Sequence, residues 1–178
     1  MPITVQTQPP TPGANSYVSV ADFKAYHDAR LNTYTGKTDE QIGANLVKAT
    51  QYLDVRFRFI GYRYAREQET EWPRQNAYDD RNDRVEGIPS AVVNATCEYA
   101  LRALMGTDLL ADPARDATGR DIKSTSSKVG PIEEEVVYVE QAGYSLPSYP
   151  LADRMLSARG LIKGSGTTGL GIMNTARA

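Results

Sequence analysis

Residues 38–57 read TDEQIGANLVKATQYLDVRF, and they spell one amphipathic helix. Thr38 with Gln41 three positions on forms a capping-box pattern, in which each side chain satisfies a backbone N–H of the other. Ile42, Leu46, Ala49, Leu53 and Phe57 then fall on one stripe about 80° wide. The spacing predicts a helix from Thr38 to about Phe57 with that stripe turned to a core. A single stripe needs partners, and the flanking sequence supplies three.

Upstream, Ser19 is placed to cap a helix whose first turn holds Asp22, with Val20, Phe23, His27 and Leu31 as its inward face. Downstream, Pro89 opens a helix that ends by Gly106, with Val93, Cys97, Ala100, Leu101 and Leu104 on one side. A last helix, about Leu151 to Leu161, offers Leu151, Met155, Ala158 and Ile162. Between the second and third helices, 67–87 is polar and mixed in charge, and it reads as an ordered loop around Trp72-Pro73, because an indole left in water forfeits much of its stabilising area. Ile132 to Glu140 is the best strand, with Val137 and Val139 on one face and Val136 and Tyr138 on the other, and its partner precedes Gly130-Pro131.

The fold class is therefore mainly α: a bundle of about four helices with a short β-hairpin near 121–140. Residues 1–16 carry no charged side chain but hold Pro2, Pro9, Pro10 and Pro12, and read as an extended N-terminal arm. Residues 17–162 form the helical domain, and 163–178 a Gly-rich C-terminal tail.

At 178 residues the chain is one domain's worth. One cysteine and one histidine exclude a disulfide scaffold and a Cys/His zinc site. No apolar run reaches the roughly 18 residues that cross a bilayer, and the N-terminus has no signal-like core, so the expectation is a protein made in a reducing cytoplasm, without membrane contact. Twenty basic against 22 acidic side chains give a net charge of −2, which rules out global basicity. The charge is nonetheless arranged in blocks. Residues 55–66 hold Arg56, Arg58, Arg63 and Arg66 with no acid; 131–140 hold Glu133, Glu134, Glu135 and Glu140 with no base; 154–178 hold Arg154, Arg159, Lys163 and Arg177 with no acid. Separated blocks suit a surface that meets a different surface of a neighbour.

The segment 55–64 interleaves arginine with aromatics, a pattern that pairs phosphates and stacks bases. Two readings are open. Arg56, Arg58, Arg63, Phe59, Tyr62 and Tyr64 form a single-stranded-DNA track, or the aromatics pack beneath the Trp72 loop and the arginines meet carboxylates at an interface, with Glu67, Glu69 and Glu71 offsetting phosphate attraction. His27 and Cys97 sit on apolar stripes, read as a packed histidine and a small hydrophobe, and no catalytic constellation surrounds them. Glu133, Glu134 and Glu135 read as a solvated acidic surface without cation-site spacing, and facing a DNA channel they would repel phosphate. Glycines 164, 166, 169 and 171 lack the context of a phosphate loop, and the tail with Leu170 and Ile172 reads as a segment that orders on a partner. No cofactor or metal is implied.

Several of these residues together resemble a known family. Asn15-Ser16-Tyr17-Val18, then Ala49-Thr50-Gln51-Tyr52-Leu53-Asp54, Phe59 with Gly61 and Arg63, Gln68 leading to Trp72-Pro73-Arg74, and Ile88-Pro89 resemble the head–tail connector (adaptor) proteins of tailed bacteriophages over roughly 15–162. Members of that group also carry the label DnaT-like single-stranded-DNA-binding protein. Position 70 is Thr where the family pattern often has Leu.

The resemblance implies a structural virion protein of the neck, located at the head–tail junction. It would assemble as a dodecameric ring between the portal protein and the next neck or tail protein, and pass double-stranded DNA without reading it or catalysing anything. Interface candidates are then Arg56, Arg58, Arg63, Arg66, Trp72, Arg74, Arg154, Arg159, Lys163, Leu170 and Ile172, with Glu133, Glu134 and Glu135 toward the channel. The alternative under the same resemblance is a single-stranded-DNA-binding protein of replication.

Overall fold

A computed structural model describes residues 2–111, 122–128, 133–138 and 146–163. The elements run α1 (Val20–Asp28), α2 (Asp39–Arg56), β1 (Tyr62–Arg63), β2 (Arg74–Gln75), α3 (Ser90–Leu104), β3 (Ile122–Lys128), β4 (Glu133–Tyr138) and α4 (Pro150–Ser157). The chain divides into two compact units, a helical one formed by the first 110 residues with 147–166, and a second that carries the β3–β4 hairpin.

The capping box of α2 is complete: Gln41 N–H donates to Thr38 Oγ1 at 3.3 Å and Thr38 N–H to Gln41 Oε1 at 3.0 Å. Its predicted stripe is buried, and Phe57, the C-cap, closes it. α3 lies against α1, α2 and α4. That central position explains a correction to its expected stripe. Cys97, Ala100 and Leu104 are buried as predicted, but Val92, Ala95, Thr96 and Tyr99 join them, while Val93 and Leu101 are half-buried.

Two further helix readings need correcting. Ser19 caps α1 as expected, accepting from Asp22 N–H at 3.0 Å, but the helix stops at Asp28. Leu31, expected inside, is 92 % exposed with φ +54°. It occupies the left-handed position that ends a helix, where Asn32 N–H reaches back to the His27 carbonyl at 3.0 Å. The buried face of α4 is set one position on from the expected stripe: Ala152 and Leu156 are buried, whereas Leu151 and Ala158 are exposed.

Residues 2–16, expected to extend away, double back on the same chain. Val5 bridges Ser16 in parallel, Gln6 N–H donates to the Ser16 carbonyl at 2.8 Å, and Gln6 and Ala14 are buried. The prolines and Gly13, at φ +71°, make a reversal instead of a straight arm.

In the second unit, β3 and β4 pair antiparallel with Lys128 opposite Glu133, Ser127 opposite Glu134 and Ser126 opposite Glu135. A strand and its upstream partner were expected here. Val139 and Glu140 lie outside the described residues, as do Leu170, Ile172 and the tail beyond Lys163.

Candidate nucleic-acid interface

The site is built on the Trp72 loop. Trp72 is fully buried with its ring edge-on to Phe59, centroids 5.7 Å apart. Gln68 organises the chain before it: its Oε1 accepts from Ala65 N–H at 3.0 Å, and its Nε2 donates to the carbonyls of Thr70 at 2.7 Å and Pro73 at 3.0 Å. Thr70 is buried, and its hydroxyl donates to the Trp72 carbonyl at 2.7 Å, a bond that leucine would not supply. Asp54, from α2, accepts from the Tyr17 hydroxyl at 2.5 Å and from Glu71 N–H at 3.1 Å, and Tyr17 Oη in turn accepts from Trp72 N–H at 3.1 Å. Burial pushes the Asp54 carboxyl up to about 7. Tyr17 is raised too, first by its own burial and then by the Asp54 charge.

Arg74 fastens this loop to the segment above it. Its guanidinium donates to the carbonyls of Ile60 at 2.7 Å, Gly61 at 3.0 Å and Glu71 at 3.2 Å, and it pairs with the Glu71 carboxylate. Tyr62 and Arg63 then run antiparallel to Arg74 and Gln75. This ladder comes so close that a Cβ on Gly61, at φ +69°, would lie 2.6 Å from the Gln75 carbonyl oxygen. Only glycine fits that turn.

These contacts correct part of the expected interface. Trp72 and Arg74 are interior residues, and so is Phe59. Arg56, only 10 % exposed at its side chain, is bound on every side: Nη1 donates to the hydroxyls of Tyr52 at 2.6 Å and Tyr99 at 2.7 Å, and both Nη atoms donate to Asp153, at 2.8 and 2.6 Å. The arginine that opens the predicted track is therefore part of the core.

What remains outside is a run of exposed side chains along 58–66. Arg58, Tyr62, Arg63, Tyr64 and Arg66 are exposed, Tyr62 by 67 % and Tyr64 by 42 %. Tyr62 lies in β1, and Tyr64, just past it, donates its N–H to the Pro73 carbonyl at 3.1 Å. The far end of the helical unit joins them. Ile60 N–H donates to the Leu161 carbonyl at 3.0 Å, Lys163 N–H donates to the Arg58 carbonyl at 2.6 Å, and Lys163 Nζ lies 5.8 Å from the Tyr62 ring centre. Arg63 lies 3.9 Å from Glu71, whereas Arg58, Arg66 and Lys163 have no carboxylate partner among the described residues. Arg154 and Arg159 are also exposed.

His27 is buried, as its position on the α1 stripe implied. Asn32 Nδ2 donates to its Nδ1 at 2.9 Å, leaving Nε2–H to donate to the Cys97 carbonyl at 3.1 Å, and burial lowers its pKa. Burial pushes the Cys97 thiol up to about 12, the behaviour of an inert core thiol. Among the described residues no cluster of three or more His, Cys, Asp or Glu side chains is placed to hold a metal, and no helix is long and apolar enough to cross a membrane.

The class defined so far is a small helical domain that exposes tyrosines among cations on a rigid turn. A family model described as "Putative DnaT-like ssDNA binding protein" matches residues 1–177, and the chain belongs to that family. No curated protein and no solved structure matches it, and no comparison shows a head–tail connector family. Of the residues quoted for the resemblance, Tyr17, Asp54, Gln68, Trp72 and Arg74 interlock in the Trp72 loop, and Tyr52 accepts from Arg56.

Proposed function

We propose that this protein binds single-stranded DNA, without sequence reading, on the face of Arg58, Tyr62, Arg63, Tyr64, Arg66 and Lys163. The observation that carries this is the exposure of Tyr62 and Tyr64 beside a backbone held by Arg74 at Gly61, with Lys163 near the Tyr62 ring and exposed Arg58, Arg63 and Arg66 in the same segment. Stacking on an aromatic face is indifferent to base identity, and a fixed turn gives up little entropy when it engages a strand. Family membership supports the same reading. Photo-crosslinking of the full chain to a 5-iodouracil-substituted oligonucleotide tests it. Adducts on Tyr62 or Tyr64 support the proposal; adducts confined to other surfaces, or none, refute it.

A second reading follows the resemblance to neck proteins, in which the same face and the acidic run at Glu133, Glu134 and Glu135 meet across a ring beneath the portal. The observation that favours it is the exposure of Leu31, Val55, Met105 and Leu151, large apolar side chains of the kind that protein interfaces cover. Mass spectrometry of purified virions separates the two, since a replication protein is absent from particles.

A further inference from the structure

The DNA face is composite. One part, 58–66, follows α2 directly; the other, 159–163, arrives about a hundred residues later, after α4. Two backbone hydrogen bonds and the Phe59–Ile162 bridge join them. Lys163 thus stands beside Tyr62 through that pairing and through the helix α4 that leads into it.

Asp153 anchors that helix. It lies in α4 and takes both Nη atoms of Arg56, the last residue of α2, and it also accepts from the Tyr99 hydroxyl of α3. Arg56 lies two positions before Arg58, so one ion pair grips the start of the first segment and the helix that delivers the second. The pair is largely shielded from solvent and its fork geometry fixes orientation as well as distance. Beyond α4, Gly160 turns at φ +63° against Asp80, where a Cβ would lie 2.9 Å from the Asp80 nitrogen, which keeps the path to Lys163 narrow.

We propose that Arg56 and Asp153 are positioning residues for DNA binding: without touching the strand, they hold Lys163 in register with Tyr62 and Arg58. This rests on the single-stranded-DNA reading. Asp153→Asn removes the charge that orients Arg56, and with α4 less firmly seated the pairing of 161–163 with 58–60 is expected to loosen and Lys163 to lose its register with Tyr62.

The test is the affinity of the full chain for a labelled oligo(dT) across a salt series, for the native protein, Asp153→Asn, Lys163→Ala and the double variant. Each phosphate contact on a single strand contributes about 0.7 to the slope of log affinity against log salt. Lys163→Ala and Asp153→Asn are each expected to lose about 0.7 from the native slope, and the double variant no more than either. A merely destabilising change would not move that slope by one contact, nor be silent on top of Lys163→Ala. Arg56→Lys, which keeps the charge but not the fork, should lose a smaller part, and fluorescence of buried Trp72 confirms folding of each variant. A native slope in Asp153→Asn, or additive losses in the double variant, overturns the positioning role while leaving DNA binding intact. No binding by the native protein overturns both.

Discussion

Asp54 ties α2 to the Trp72 loop, and its ionisation should be visible in the stability of the whole domain. Its carboxyl titrates near 7 in the folded chain against an ordinary 3.8, because burial penalises the charge more than Tyr17, the Glu71 amide and Arg74 relieve it. Since the folded state holds this proton more tightly than the unfolded one, the stabilisation is fully present below about pH 4. It falls as pH rises and is gone above about 7. At about 1.4 kcal/mol for each pH unit between those values, the span amounts to about 4 kcal/mol. Asp54→Asn is close in shape: the side-chain oxygen can still accept from Glu71 N–H, and the amide can donate to Tyr17 Oη. Urea unfolding followed by Trp72 fluorescence from pH 4 to 8 should show the native protein losing stability relative to the variant by up to that amount. The difference between the two cancels every other titrating group. Parallel curves across that range would show that Asp54 is charged throughout, and the account of its burial would be wrong.

Other perturbations test separate links. Gly61→Ala should cost about 2 kcal/mol or more in urea unfolding, because the new methyl meets the Gln75 carbonyl in a left-handed turn; a neutral change would mean the turn relaxes freely. Leu31→Gly should raise stability by about 0.5–1 kcal/mol, since the left-handed position strains leucine and its side chain is in water; a loss would mean that Leu31 packs in solution. Tyr62→Ala should leave the melting temperature within a degree or two, yet weaken oligonucleotide binding by about 5- to 150-fold, the range for losing one stacked base. Unchanged binding would remove Tyr62 from the site.

How far the chain could be read in advance depended on how local each determinant is. The capping box and stripe of α2 are written within 20 consecutive positions and appear as expected, and so does the Ser19 cap. Leu31 and Leu151 misled because helical periodicity does not say where a helix stops or which neighbour covers it. The candidate site was half legible. Alternating arginine and aromatic residues marked the segment of the proposed face but not which members point inward, because that is decided by partners far along the chain. Arg56 meets Tyr99 and Asp153, and Asp54 meets Tyr17 and Glu71. Lys163 joined the face for the same reason: only the pairing of 58–60 with 161–163 places it there.

The most direct test of the central claim is the salt dependence of binding to a fluorescent oligo(dT) by the native protein beside an Arg58→Ala, Lys163→Ala variant. With Arg58, Arg63, Arg66 and Lys163 on phosphates, raising salt from 50 to 200 mM should weaken native binding by about 50-fold, and the variant should show roughly the square root of that. Native affinity that is absent, or that is insensitive to salt and to both substitutions, would contradict a DNA-binding face at this site.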